Sequence, residues 1–314
     1  MKGELILNGN FLDFNDKVKK KVIHQRSNFI VKDDKVYTLE GEDISHLYNL
    51  SLNPIYISEN QLDSYKSKEI LGQHERENGG FIFMFYRTLQ NFSDIIPNLT
   101  RADVSRLLYL STYVSYEENK IQYDNGLDIN DNQLAELLRM NKQSLKKFID
   151  KLIINNILYI EDNNKFLSPS FCKYGTIDIK QLKNNNISYI RLFKNTVRDL
   201  FNQTPIRELG RLSTIYMILP YLNLVTNIVS HNPDEGDISK VSPMTITDLS
   251  NKLNFTNLTK FRQSLYNIKI DGSHVFGFFM LEDDKRTMRI VVNPNVVFAG
   301  DAEQLKAIKA LFSK

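Results

Sequence analysis

The apolar positions of this chain follow two rhythms in succession. From Met1 to about Leu71 short apolar and polar steps alternate, at Leu5 to Leu7, Val22 to His24, Phe29 to Val31 and Val36 to Leu39, the period of β-strands. Lys32-Asp33-Asp34-Lys35 separates two of these runs and suits a hairpin turn, because Asp tolerates turn geometry and bonds to nearby backbone. A short helix is expected near Gln61 to Leu71. Gly79-Gly80 then marks a boundary, and the apolar run Phe81 to Tyr86 opens a new element. Thr100, followed by Asp103, has the form of a capping box, and Val104, Leu107, Leu108, Tyr113 and Val114 follow at roughly helical spacing. An extended piece is expected near Ile121 to Tyr123.

From Asn130 the pattern predicts a helix pair and a hairpin. Asn130 with Gln133 caps a first helix whose apolar face is Leu134, Leu137 and Leu138. Asn141 caps a second, in which Leu145, Phe148, Ile149, Leu152 and Ile153 follow the i, i+3, i+4, i+7, i+8 series. Ile157 to Ile160, a turn over Glu161 to Lys165, and Phe166 to Ser168 then form a β-hairpin, the wing of a winged helix.

A polar stretch about Lys183-Asn184-Asn185-Asn186 follows, and the grammar repeats. Phe193 answers Phe85, Leu209 to Leu222 answers Val104 to Val114, and Leu249 and Leu253 answer Leu134 and Leu138. Phe261, Leu265 and Ile268 answer Leu145, Ile149 and Leu152. Pro169 to Gly175 has the same spacing as Pro294 to Gly300. Asn232 to Lys240 and a longer wing between Val275 and Val292 are insertions in the second copy. The expected class is α+β, with two tandem winged-helix domains behind a small β-rich element. The boundaries are residues 1–78 for that element, 79–178 and 189–301 for the two winged helices, 179–188 for the linker, and 302–314 for a C-terminal amphipathic helix. That last helix, with Leu305, Ile308, Leu311 and Phe312 on one face, is expected to pack on the second domain, with a docking tail as the alternative.

Bulk properties narrow this only a little. At 314 residues and 42% hydrophobic content, the chain is long enough for two or three domains, each with its own core. A formal charge of +3, from 40 Lys and Arg against 37 Asp and Glu, neither argues for a polyanionic partner nor excludes one. The single cysteine, Cys172, excludes an intramolecular disulfide and fits a reducing, cytoplasmic location. Apolar runs fall short of the ~20 residues a bilayer span requires, and Met1 to Lys21 lacks a signal-peptide core.

Candidate chemistry comes from the second helix of each pair, which in helix-turn-helix proteins enters the major groove. Lys142, Gln143, Lys146, Lys147 and Lys151 form the polar face of the first, suited to phosphate and to base edges. Thr259, Lys260, Arg262, Gln263 and Tyr266 are their equivalents in the second. Lys165 in the first wing and Lys285, Arg286 and Arg289 in the second are candidates for phosphate or minor-groove contact. A merely solvated basic face is the alternative reading. Catalysis finds little footing: no phosphate-binding Gly-x-x-x-x-Gly-Lys loop occurs, and His24, His46, His74, His231 and His274 lack metal-ligand spacing and read as surface residues. Cys172 reads as a core thiol, and Tyr86, Tyr109, Tyr113 and Tyr216 as core aromatics. No cofactor and no metal are expected.

The ending Val291-Val292-Asn293-Pro294-Asn295-Val296-Val297-Phe298-Ala299-Gly300-Asp301 resembles the Asn-Pro-x-x-x-x-x-Gly-Asp wing terminus of Gram-positive plasmid and phage replication proteins. With the tandem pattern, Phe81 to Asp301 resembles the replication initiators of theta-type plasmids. That resemblance implies binding to repeated origin sites in double-stranded DNA, with one winged helix reading DNA and the other helping to dimerise or contacting a second groove, and recruitment of host replication proteins. The expected function is non-enzymatic, sequence-specific DNA binding in replication initiation. A phage or plasmid transcriptional regulator binding an operator is the alternative, and a protein-interaction module is a third reading.

Overall fold

The computed structural model describes residues 5–8, 13–14, 28–32, 35–38, 40–49, 59–85, 98–178, 189–280 and 288–313. The chain is α+β and divides into two compact units, Met1–Leu62 and Asp63–Lys314.

In the first unit, β1 (Leu5–Asn8), β3 (Asn28–Lys32) and β4 (Lys35–Thr38) form an antiparallel sheet in the order β1-β3-β4, while β2 (Asp13–Phe14) pairs with β5 (Tyr48–Asn49). Lys32 pairs with Lys35 across the expected hairpin, whose turn residues Asp33 and Asp34 lie outside the described residues. So does the strand expected at Val22 to His24. The Lys35 ammonium meets Asp43 at 3.0 Å, and the Val36 amide donates to Ser45 Oγ at 2.9 Å, tying β4 to the loop behind it.

The helix expected near Gln61 to Leu71 is longer than its sparse apolar content suggested: α1 runs Glu59–Glu77. From its second half Ile70, Leu71 and His74 turn inward, and Asn78 is buried just past its end. It ends at Gly79 and Gly80, whose φ of +70° and +81° most side chains avoid. Gly79 also lies under Asn195, where a Cβ would come within 2.1 Å of the amide carbon.

The second unit is organised by one four-stranded antiparallel sheet in the order β15-β10-β6-β9. It joins β6 (Phe81–Phe85) and β9 (Cys172–Lys173) from the first half to β10 (Tyr189–Phe193) and β15 (Val297–Phe298) from the second. At its centre Phe81 pairs with Phe193, Phe83 with Arg191 and Phe85 with Tyr189. Exchanging the two halves maps this register onto itself. The flanks obey the same exchange, since Cys172 pairs with Met84 as Val297 pairs with Leu192. An antiparallel pair of this kind has its two-fold axis normal to the sheet.

Hydrogen bonds beyond the sheet repeat under the same exchange. Asn119 and Asn227, both fully buried and left-handed at φ of +60° and +54°, sit at the same point of each half. Asn119 Nδ2 donates to the carbonyls of Leu167 and Cys172, and Asn227 Nδ2 to those of Val292 and Val297. The bridges Val114 with Ile121 and Leu222 with Val229 correspond, as do Lys120 with Phe166 and Ile228 with Val291. The proline turns match as well: Phe171 N donates to Ser168 O, and Val296 N to Asn293 O. This is why the Pro-to-Gly spacing recurs in the sequence. The turn closes each hairpin onto the central sheet.

Separate cores were expected for the two halves, but they share one. Buried residues from Ile82 through Val297 form a single apolar cluster, because the strands that each half would use as an edge are paired with one another. Helix α2 (Arg101–Leu110), which opens with the expected Thr100/Asp103 capping box, packs on the Ile206–Ile218 segment. That segment is no continuous helix. Two 3-10 turns flank a short α6 (Ser213–Ile218), the second with Pro220 in its first turn. Side chains also cross the seam: Ser105 Oγ donates to Leu209 O at 2.6 Å, and Arg139 Nη1 to the carbonyls of Phe201 and Thr204 at the end of α5 (Lys194–Gln203).

The C-terminal helix α9 (Ala302–Phe312) packs as expected. Leu305 and Ile308 join Phe193, Ile228, Val291 and Phe298, and Phe312 stands edge-on to Phe279 at 5.9 Å.

Candidate functional site

Each half carries a capped helix pair followed by a hairpin. In the first, α3 (Asp131–Leu137) begins in a capping box between Asn130 and Gln133. Arg139, at φ +54°, turns the chain, and Asn141 Oδ1 accepts from Ser144 N to start α4 (Lys142–Ile154). The hairpin is β7 (Leu158–Glu161) and β8 (Asn164–Leu167). Its turn is shorter than expected: Asp162 and Asn163 alone form it, at φ of +48° and +62°, a left-handed pair whose twist suits a two-residue hairpin.

In the second half, Thr245 and Asp248 form the capping box of α7 (Ile246–Lys252), and hydrogen bonds from Thr245 hold the Asp248 carboxyl below its usual range. Asn254 turns at φ +55°, the counterpart of Arg139, and Asn257 caps α8 (Leu258–Tyr266). A small extra hairpin of β11 (Lys269–Ile270) and β12 (Ser273–His274) follows, then β13 (Phe276–Phe279) paired with β14 (Arg289–Val292). The matched hydrogen bonds extend from the central strands to the hairpin of each half, and α4 and α8 hold the same place in the element order of the two halves.

The predicted residues now sort by environment. Lys142, Gln143, Lys146 and Lys147 stand exposed on one face of α4, and among the described residues none of these lysines meets a carboxylate. Lys142 and Lys146 edge a groove of about 870 Å³ between α3, α4 and the hairpin, floored by Leu145, Ile149, Ile153 and Ile160. Lys151 is spoken for. Its ammonium lies 2.9 Å from the buried carboxylate of Asp103, which also takes Thr100 N and has Arg106 at 3.7 Å. Burial works against the Asp103 charge, but the bonds from Lys151 and Thr100 outweigh it and hold the carboxyl below its usual range. Lys165 pairs with Asp131 at the start of α3.

On α8, Thr259, Lys260, Arg262 and Gln263 are exposed. Tyr266 is half-buried, stacked on Phe278 at 4.3 Å, with the Arg262 guanidinium 5.7 Å over its ring. Arg289 is half-buried in β14 opposite Phe279, and Arg286 and Lys285 lie outside the described residues.

Among the residues read as peripheral, His74 reverses expectation. It is 2% exposed, its Nε2 lies 3.0 Å from Pro294 O, and its ring stands edge-on to Phe193 and Phe298. Burial lowers its pKa to about 4, so it is neutral at pH 7. A lone His in a polar helix gave no sign of this, since its neighbours come from residues far along the chain. His46 and His231 are exposed and His274 is half-buried, while His24 lies outside the described residues. Cys172 is buried and its thiol pKa raised by that burial, and Tyr109 and Tyr216 are core aromatics. Tyr86 lies outside the described residues. A second ionic seam was not anticipated: Asp124, held at about pKa 2 chiefly by Arg198, also takes the buried Lys194 at 2.9 Å, fastening the first half to α5.

Among the described residues no group of three or more His, Cys, Asp or Glu is placed to hold a metal ion, and no helix is long and apolar enough to cross a membrane. Comparison with protein-family models, curated proteins and solved structures finds no match for this chain.

Proposed function

We propose that the chain is a sequence-specific double-stranded DNA-binding protein in which α4 and α8 are the reading helices of two winged-helix units, and that it serves replication initiation on a plasmid or phage genome. One observation carries this reading: two capped helix pairs with hairpins, set about one sheet whose register is two-fold symmetric, each presenting exposed long donors on its second helix. Two-fold-related reading heads match two half-sites in opposed orientation. Here the heads differ in sequence, so the half-sites differ too. Lys142, Lys146 and Lys147 supply phosphate attraction on one side, and Arg262 and Gln263 supply base-reading groups on the other. A scaffold with one core suits this task, since it holds the two heads at a fixed spacing.

The initiator role rests on the resemblance of the Val291 to Asp301 segment. In the fold this segment has structural work: Asn293 Nδ2 donates to His274 O, Asn295 N to Asn293 Oδ1, and Asp301 caps α9.

Selection of bound fragments from the protein's own replicon tests the proposal. Repeated sites beside an AT-rich tract support initiation, and a single site overlapping a promoter replaces it with transcriptional regulation. Absence of duplex binding at low salt, where phosphate contacts are strongest, refutes both.

A further inference from the structure

We infer that Arg262 is the guanine-reading residue of the second half and that Tyr266 is its positioning residue, not itself a DNA contact; this rests on the DNA-binding reading above. The two halves diverge at this point. Aligned through Leu145 with Phe261 and Ile149 with Leu265, the trio Arg262, Tyr266 and Phe278 stands where the first half has Lys146, Asp150 and Ile160. In the first half Ile160 is 50% exposed, and Lys146 and Asp150 line an open groove with no ion pair among the described residues. In the second, Phe278 reaches from β13 to stack on Tyr266 at 4.3 Å, and His274 stands edge-on to the same ring. His274 Nδ1 also lies 3.0 Å from Tyr266 O, fixing the end of α8 to the extra hairpin. Tyr266 thus has neighbours from two hairpins and little rotamer freedom.

A helical side chain leans toward the helix N-terminus, so Tyr266 is a shelf for the residue one turn earlier. The Arg262 guanidinium lies 5.7 Å over that shelf, and among the described residues no carboxylate competes for it. An aromatic face holds arginine by cation–π attraction without using its in-plane donors. Those donors form the planar fork that matches guanine O6 and N7 in the major groove. The lysine at the matching place in the first half has neither shelf nor fork, and acts as a point charge.

The test uses the full chain and a duplex it selects from a random-sequence pool, with affinity measured for each single base-pair change. Wild type is expected to lose roughly tenfold on replacing one G·C pair by A·T within the α8 half-site. Arg262→Ala abolishes that preference alone, and Arg262→Lys, at an exposed position that spares the fold, weakens it while keeping the salt dependence. Tyr266→Leu reduces the same preference about threefold, Tyr266→Phe retains it, and Arg262→Ala/Tyr266→Leu is no worse than Arg262→Ala. A uniform affinity loss for Tyr266→Leu, loss of preference in Tyr266→Phe, or an unchanged profile in both Arg262 variants overturns the inference and leaves the DNA-binding reading standing. Failure of wild type to bind any duplex at low salt overturns the two together.

Discussion

The matched pair Asn119 and Asn227 allows a sharp test of the repeated scaffold, because the same substitution removes a different number of hydrogen bonds at each. Asn119 makes three: its Nδ2 donates to Leu167 O at 3.3 Å and Cys172 O at 2.6 Å, and its Oδ1 accepts from Tyr174 N at 3.2 Å. Asn227 makes the two amide donations, at 3.2 and 2.8 Å, while its buried Oδ1 has no partner among the described residues. At a net ~1 kcal/mol per bond, Asn119→Ala loses about 3 kcal/mol of hydrogen bonding and Asn227→Ala about 2. Both positions are left-handed, so alanine adds about 1 kcal/mol of backbone strain at each. The expected totals are thus about 4 and about 3 kcal/mol. Asn→Gly variants remove the strain and separate it from the bonds. Urea unfolding followed by circular dichroism gives the free energies, and a unit this size shifts its Tm by about 2–4 °C per kcal/mol. Equal losses at the two sites, a larger loss at Asn227, or losses below about 1 kcal/mol would refute the assignment of these asparagines as the pins of each half.

Three further outcomes follow from the site and its supports. Replacing Lys142, Lys146 and Lys147 together by Gln should weaken DNA binding across all sequences and reduce the slope of log affinity against log salt by up to about 3, with the thermal midpoint unchanged. Lys151→Met should do the reverse, costing about 2 kcal/mol of stability by stranding the Asp103 carboxylate while leaving the salt slope alone. His74, with its pKa lowered from 6.5 to about 4, binds protons more readily when unfolded. Its contribution is therefore complete above pH 6.5 and lost as pH falls toward 4, on the order of 3 kcal/mol over that window. Unfolding midpoints should fall across this range in wild type and fall less in His74→Leu.

Much of the local structure was legible in the chain. Caps at Thr100, Asn130 and Asn141 sit where they were expected, because a capping side chain reaches only the next few backbone amides and the information is local. The apolar faces of α4 and α8 were nearly as plain, since burial of one helix stripe follows from spacing, although Ile153 at the edge of the α4 stripe is exposed. The repetition was visible too, through the proline turns, though the sequence did not say what those turns fasten.

Tertiary structure decided whatever depends on partners distant in sequence. Pairing of β6 with β10 turns two expected cores into one, and no short-range pattern encodes which edge strand meets which. The same holds for single charges. Lys151 and Lys147 lie one turn apart on the same side of α4, yet the first meets a buried carboxylate from α2 and the second stands exposed with no carboxylate partner among the described residues. His74 is buried by Phe193 and Phe298, and Tyr266 is made a shelf by Phe278, in each case by side chains that only the fold brings near. The sequence by itself determined the elements and their repetition, because these are written in side-chain spacing and local hydrogen bonding. The fold alone decided which lysines remain free and which arginine is held in place, because those outcomes depend on what stands opposite.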